Sequence, residues 1–342
     1  MRLCITGGGT GGHLMIAEAL LEAALTNGHE VIFIGSTYGQ DKKYFENNNY
    51  FSSVYFLDTT GVVNKKGLKK IYALFKIFVA FMHSRSILKK HDIQATYSVG
   101  GFSAAPASLA TISKFIPFFI HEQNAVNGKL NALLRPFAKR FISAYDKESF
   151  IHGYPVKDIF FKNSRVRNNI KTIIFLGGSH GAQSINNIAL DVAIALNKLN
   201  IRVIHQAGEN DFLRVKDKYQ ELGVEVELYS FTQNLASLIE RADFAVSRAG
   251  ASTLWELISN GCPALFIPYP YAAGDHQFYN AKFIVENNLG WCSREEDSPK
   301  EKLLSILKDK NQDIEIKSKK LLKYASKDVA EKMILDVESF IK

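Results

Sequence analysis

A strand, a glycine-rich turn, a helix and a second strand follow one another at the start of this chain, and the same succession returns near its middle. Arg2–Thr6 reads as a short buried strand and Gly7–Gly12 as a loop. Leu14–Thr26 reads as an Ala- and Leu-rich helix stopped by Asn27-Gly28, and Glu30–Ile34 as the next strand. In the second half, Lys171–Leu176, Gly177–Gly181, Ala182–Leu199 and Ile201–Gln206 take the same four parts. Short apolar runs alternating with helical stretches predict an α/β fold with parallel strands. The repetition predicts two Rossmann-like domains, one per half. With 342 residues the chain is long enough for two full cores. The expected division is 1–156 for the first domain and 157–325 for the second, joined near Tyr154-Pro155-Val156. The polar run Lys162–Lys171 then leads into the second domain's first strand. Residues 326–342 form a helical tail, whose amphipathic part Val329–Ile341 is expected to pack back on the first domain.

The turns point to phosphate chemistry. Gly7, Gly9 and Gly12 make a G-x-G-x-x-G match. Glycine lets backbone N–H groups approach a phosphate, and the helix start that follows favours negative charge. A dinucleotide site also needs an acid closing the second strand, to hold a ribose. That strand ends Ile34-Gly35-Ser36, which counts against a nicotinamide or flavin cofactor. A tight turn without a ligand is the remaining alternative. His13 stands at the helix start, either as a polar cap or as a general base facing the ligand. In the second loop, Ser179 offers a hydroxyl to a phosphate, while His180 reads as solvent-facing. A third glycine site, Ser247–Thr253, follows the strand Phe244–Ser247 and opens a helix around Leu254–Ile258. There Thr253 and Glu256 fit a capping box. The alternative sets a diphosphate on the helix N-terminus and a ribose diol on the two acceptors of the Glu256 carboxylate.

Two further polar stretches, His121-Glu122-Gln123-Asn124 and Gly274-Asp275-His276-Gln277, lie just past predicted strands. That edge is where open α/β sheets bind ligands. His121, Glu122 and His276 lack metal-ligand spacing, so no metal is expected. Cys4, Cys262 and Cys292 have no paired spacing, and a reduced, cytoplasmic setting is expected. The first strand leaves no room for a signal peptide, and no apolar run approaches the ~18 residues of a membrane span. A net charge of +8 asks for an anionic partner: nucleic acid, an anionic membrane face or a phosphorylated substrate. Val62–His91 holds eight of the basic residues and no Asp or Glu, with Leu68, Ile71, Leu74, Phe75, Phe78, Val79, Phe81 and Met82 between them. This pattern suits an interfacial membrane helix, or a core-facing helix with a solvated basic face. No zinc-finger or RNA-recognition signature accompanies it, so no nucleic-acid partner is expected.

Six stretches occur in one order from residue 8 to about residue 281: Gly8-Gly9-Thr10-Gly11-Gly12-His13, Gly100-Gly101-Phe102, His121-Glu122-Gln123-Asn124, Gly177-Gly178-Ser179-His180-Gly181-Ala182, Ser247-Arg248-Ala249-Gly250-Ala251 and Asp275-His276-Gln277. With them the chain resembles the bacterial peptidoglycan N-acetylglucosaminyltransferases that convert lipid I to lipid II. The resemblance implies a GT-B fold, two Rossmann-like parallel-sheet domains facing a cleft. It implies inverting transfer from UDP-N-acetylglucosamine to the muramyl 4-hydroxyl of lipid I, without a cofactor. The protein would sit peripherally on the cytoplasmic face of the membrane, with residues 62–91 on the anionic surface. The second domain would hold the donor. Ser179, with Ala251, Ser252, Thr253, Leu254 and Glu256, would meet its diphosphate and ribose. Thr232 falls where family members contact uracil through the backbone, and Gln277 would hold sugar hydroxyls. Thr10, Gly11, Gly12 and Asn124 would line the donor-sugar and acceptor side, with His13 as base.

There are departures from the family pattern. The Pro usual a few residues after the first-loop His is missing from Leu14-Met15-Ile16-Ala17, and the usual G-N-P-V-R hinge is here Gly153-Tyr154-Pro155-Val156-Lys157. Lys157 keeps the positive charge for a donor contact but loses the bidentate fork of Arg. The alternatives are another GT-B UDP-sugar transferase with a lipid or small-molecule acceptor, and an NAD(P)-dependent oxidoreductase, which leaves the second glycine loop unexplained.

Overall fold

The computed structural model describes residues 1–62, 65–178, 181–232, 234–308 and 312–341. The chain divides into two compact units, Met1–Lys157 with Lys327–Lys342, and Asp158–Ser326. In the first unit, β1 (Arg2–Gly7) buries Leu3, Cys4 and Ile5 completely, so both faces are covered, as in a central parallel strand. With β2 (Glu30–Ser36), β3 (Ser53–Leu57), β4 (Ala95–Gly100), β5 (Phe118–Glu122) and β6 (Arg140–Ser143) it forms a parallel sheet of order β3-β2-β1-β4-β5-β6.

The second unit repeats this. β7 (Thr172–Leu176), β8 (Arg202–Gln206), β9 (Glu227–Tyr229), β10 (Phe244–Ser247), β11 (Ala264–Phe266) and β12 (Trp291–Cys292) run in the order β12-β11-β10-β7-β8-β9, all parallel. Counted from its own first strand, each sheet therefore has the doubly wound order 3-2-1-4-5-6. The order reverses between β1 and β4, and again between β7 and β10. Ligands of such sheets bind at that reversal, beyond the strands' carboxyl ends. The glycine loops singled out in the sequence follow these four strands.

Helix α1 (Gly11–Thr26) begins three residues before the expected Leu14, because Gly11 and Gly12 are helical rather than loop. Further on come α2 (Asp41–Phe45), α3 (Gly67–Lys90) and α4 (Ala105–Ser113). The first core joins Cys4, Ile32 and Ile34 of the sheet to Ala80, Ile87 and Leu88 of α3 and Ala107 and Ala110 of α4. In the second unit, Ile173, Phe175, Val246 and Leu265 pack on Ile185, Ala189, Val192 and Leu196 of the helix Gln183–Lys198. The helix Val329–Ser339 packs with the first unit, where Glu338 Oε1 meets His29 Nε2 at 2.7 Å and Asp336 Oδ2 meets Arg140 Nε at 3.3 Å.

Two expectations are corrected. The run Lys162–Lys171 is more than a polar lead-in, since Arg167 is fully buried within it. And α3, at 24 residues, is long and apolar enough by length and composition to cross a membrane. Reading the apolar runs one by one missed this, because Lys76 and Arg85 interrupt them; the helix pools them. Part of α3 is nevertheless built into the first unit's core, through Ala73, Ala80, Ser84, Ile87 and Leu88.

Candidate functional site

At the first reversal, two backbones touch. Gly8 N–H donates to Gly100 O at 3.0 Å. Gly101 has φ +81, and a Cβ there would fall 2.0 Å from Gly8 O, so only glycine fits. Thr10 is the N-cap of α1, yet its hydroxyl makes no capping bond. It meets His13 Nδ1 at 2.9 Å instead. The other ring nitrogen, Nε2, lies 3.0 Å from Gln123 Nε2. A Gln123 amide donating here suits the tautomer with its lone pair on Nε2 and its proton on Nδ1, directed at Thr10. His13 is thus a first-turn residue of α1 with a basic nitrogen, and the cap position belongs to Thr10.

The polar stretch after β5 organises this side. Glu122 is buried and accepts from Asn124 N at 3.0 Å, Gly128 N at 2.8 Å and Asn131 Nδ2 at 2.9 Å. It shapes the turn that carries half-buried Asn124. His121 is fully buried, with its ring edge-on to Tyr154 at 5.2 Å. Burial, and next the nearness of His13, lower its pKa to about 3, so it stays neutral. Among the described residues, no group of three or more His, Cys, Asp or Glu is arranged to hold a metal.

Sequence reasoning missed Asp41, which the fold brings to the first loop. Its Oδ1 accepts from Gly9 N at 2.5 Å and its Oδ2 from Ser36 N at 2.9 Å. The acid was sought at the end of β2; it stands five residues further on, at the start of α2. Lys157 belongs to the first unit, and its Nζ lies 3.1 Å from Glu18 Oε1 and 3.6 Å from Glu22 Oε1 of α1. This ammonium is thus engaged with two carboxylates of α1.

In the second unit, the helix Ala251–Asn260 starts on Gly250 directly after the loop that leaves β10, and no side chain caps it. Thr253 and Glu256 are its third and sixth residues, inside the helix, so the capping box is excluded. Ala251, Ser252 and Thr253 supply the first turn, whose N–H groups have no partner within a helix. The Leu254 side chain is fully buried, and its N–H donates to Gly250 O at 3.0 Å. Glu256 is 4% exposed, a carboxylate kept in a largely apolar helix. Ser179 and His180 lie outside the described residues. Of their loop, Gly181 rests against β8's exit, where a Cβ would come 2.6 Å from Ala207 O.

Several side chains tie the remaining pieces to this edge. Asn280, fully buried in the helix His276–Glu286, donates to Ala249 O at 3.1 Å. Gln277 Oε1 accepts from Tyr269 N at 3.0 Å, and Thr232 Oγ1 from Asn234 N at 3.0 Å. Arg248 donates to Ile267 O and Pro268 O and pairs with Glu295 at 2.6 Å. Arg294 pairs with Asp275 at 2.6 Å and lies 3.8 Å over the Phe278 ring. Glu295 and Arg294 carried no sequence signal of their own, since their partners are distant in the chain, and Arg248 stood in a motif without a role of its own.

Residues 3–143 match the Glycosyltransferase family 28 N-terminal domain and residues 172–333 the Glycosyltransferase family 28 C-terminal domain. The chain is 65% identical, over 98% of both chains, to the UDP-N-acetylglucosamine–N-acetylmuramyl-(pentapeptide) pyrophosphoryl-undecaprenol N-acetylglucosamine transferase of Sulfurimonas denitrificans. It is 50% identical to the protein of the same name from Wolinella succinogenes, over 97% of this chain and 98% of that one. Among solved structures it is similar to Acinetobacter baumannii MurG, with TM-score 0.78 and 26% identity over 99% of each chain.

Proposed function

The chain belongs to glycosyltransferase family 28, and on that premise we propose a reaction for the two reversal points just described. The protein transfers N-acetylglucosamine from UDP-N-acetylglucosamine to N-acetylmuramyl-(pentapeptide) pyrophosphoryl-undecaprenol. The acceptor's muramyl 4-hydroxyl attacks the anomeric carbon with inversion, and UDP leaves. The transition state is oxocarbenium-like, as in glycoside chemistry. His13 Nε2 takes the hydroxyl proton, with Nδ1–H held by Thr10 so that the ring keeps the right tautomer. Thr10, Gly11, Gly12 and Asn124 form the surroundings of the donor sugar and acceptor.

The leaving diphosphate needs a fixed positive environment. The first turn of the Ala251 helix, at Ala251, Ser252 and Thr253, offers aligned N–H groups and the positive end of the helix dipole, joined by Ser179. Glu256 takes the ribose diol, Thr232 lies beside the uracil, and Gln277 meets sugar hydroxyls. The observation that carries this assignment is a buried carboxylate two turns into a helix that starts at the reversal of the second sheet. Glu256→Ala should weaken UDP binding by roughly 10- to 100-fold, the worth of hydrogen bonds to a charged group. Isothermal titration with UDP reads this directly, and an affinity within twofold of the wild type would remove Glu256 from the donor site.

We place the protein peripherally on the cytoplasmic membrane face, through α3. The support is which residues α3 turns outward. Its small residues Ala73 and Ala80 face the core, while Leu68 is 83%, Ile71 64%, Phe75 61% and Phe78 59% exposed. Bulky side chains left outside on a helix preceded by Lys65 and Lys66 and opening with Lys69 and Lys70 suit an anionic leaflet. Lys76 is not part of that basic surface, since it pairs with Asp58 at 2.9 Å. Wild-type protein should co-sediment with phosphatidylglycerol vesicles at low salt. Each Lys near such a surface contributes about 1 kcal/mol. The double variant Phe75→Ser, Phe78→Ser should lose most of the binding, and equal sedimentation of the two proteins would exclude α3 as the contact.

A further inference from the structure

We propose that Asp41 is the specificity residue of the first glycine loop: its carboxylate occupies the anion position that such a loop ordinarily offers to phosphate, so that the loop serves a neutral sugar hydroxyl. The proposal rests on the reaction given above, in which both substrates carry a diphosphate and only one of those diphosphates leaves. A strand, glycine turn and helix start present N–H groups toward an anion. In this protein two of those of the turn are already taken. Gly8 N–H donates to Gly100 O, and Gly9 N–H to Asp41 Oδ1. The second carboxylate oxygen is held by Ser36 N–H at the end of β2.

The close approach is built in. A Cβ on Gly8 would lie 2.4 Å from Asp41 Oδ1, so glycine there serves the protein's own carboxylate. Asp41 has no exposed surface. Burial raises its pKa, and the backbone donors Gly9 N–H and Ser36 N–H pull the other way without reversing that. A carboxylate is the nearest side-chain equivalent of a phosphate oxygen pair. Placed on Gly9, it fills the donor and sets a fixed like charge against any diphosphate that enters. Thr10 and His13, on the same turn, are then free of competition from the diphosphates of UDP and of the lipid acceptor. Asp41 acts through the loop, as a positioning residue.

The probe is inorganic pyrophosphate, and the protein is the full chain with an amide-resolved spectrum. In the wild type, the Gly9 amide resonance should not respond to millimolar pyrophosphate. In Asp41→Asn, which keeps the size and removes the charge, the Gly9 amide should shift on titration. Pyrophosphate should also inhibit competitively against the lipid acceptor, at least tenfold more strongly than in the wild type. A purely structural role for Asp41 predicts lower stability without this new inhibition pattern. Asp41→Ser, smaller and uncharged, serves the same test if the Asn variant does not fold. An unmoved Gly9 amide in the folded variant, with inhibition constants within twofold of the wild type, overturns the proposal. So does a wild-type Gly9 amide that already binds pyrophosphate. The amide titration needs no turnover. A wild type that transfers no sugar therefore defeats the reaction reading alone, and the titration still decides the role of Asp41.

Discussion

Replacing His13 with alanine should lower kcat by about 10²- to 10⁴-fold, the usual contribution of a positioned general base. KM for UDP-N-acetylglucosamine should change little, because the donor's diphosphate and ribose are assigned to the other unit. The expectation rests on one nitrogen. Gln123 meets His13 Nε2 and Thr10 meets Nδ1, contacts that suit a ring with its lone pair at Nε2. Removing the ring takes away the proton acceptor and leaves α1 and its glycine start in place. Thr10→Val should have a smaller effect on kcat, since it frees the tautomer without removing the base. Steady-state transfer to a soluble lipid-acceptor analogue measures both variants. Turnover of His13→Ala within threefold of the wild type at saturating substrates would exclude His13 as the base.

The largest effect on stability should come from Arg167. Its guanidinium is fully buried in the second unit, and its acceptors are oxygens of carbonyl groups. It donates to Ala242 O at 3.2 Å, Ile239 O at 3.2 Å, Arg165 O at 3.0 Å, and both the backbone and side-chain oxygens of Asn260. Ile239 and Asn260 lie at the C-terminal ends of the helices Leu235–Arg241 and Ala251–Asn260, where the dipole favours a cation. Burial pushes the guanidinium pKa down from its usual value. Arg167→Met removes five donated bonds and leaves their acceptors buried. Each such acceptor costs ~1–3 kcal/mol, and partial relaxation puts the total on the order of 5 kcal/mol. In a unit of this size that lowers Tm by roughly 10–20 °C. Calorimetry tests it, and a drop under about 3 °C would mean that water or rearrangement replaces the guanidinium.

These two residues mark the division between what was legible in the chain and what was not. His13 was legible because its context is local: a strand, glycines and a helix within thirteen residues. Arg167 sat in a run read as a polar lead-in, because its partners lie some 70 to 90 residues away and leave no pattern nearby. Asp41 was missed for a related reason. It was sought at the end of β2, whereas the turn into α2 brings it back over the glycine loop. Thr253 and Glu256 fitted a capping pattern that begins two residues inside the actual helix; only the true start at Ala251 shows Leu254 in the core and Glu256 buried. The basic, apolar stretch 62–91 left two faces open, since a helix bulky and apolar on most sides has no periodicity to choose between them. Packing sorted the faces: Ala73, Ala80, Ser84, Ile87 and Leu88 turn inward, and Leu68, Ile71, Phe75 and Phe78 stay exposed.

The glycine loops remained the frame throughout. By itself the sequence determined the twice-repeated strand, glycine turn and helix, and with it the doubly wound sheets, because alternation of apolar runs and glycine breaks acts over a few residues at a time. Tertiary structure alone decided which N–H groups of the first loop are filled from within the protein. A loop's N–H groups have no fixed chemistry until the fold fills them. In the first loop it fills two of them, with Gly100 O and Asp41, residues that the chain must travel 30 to 90 positions to deliver.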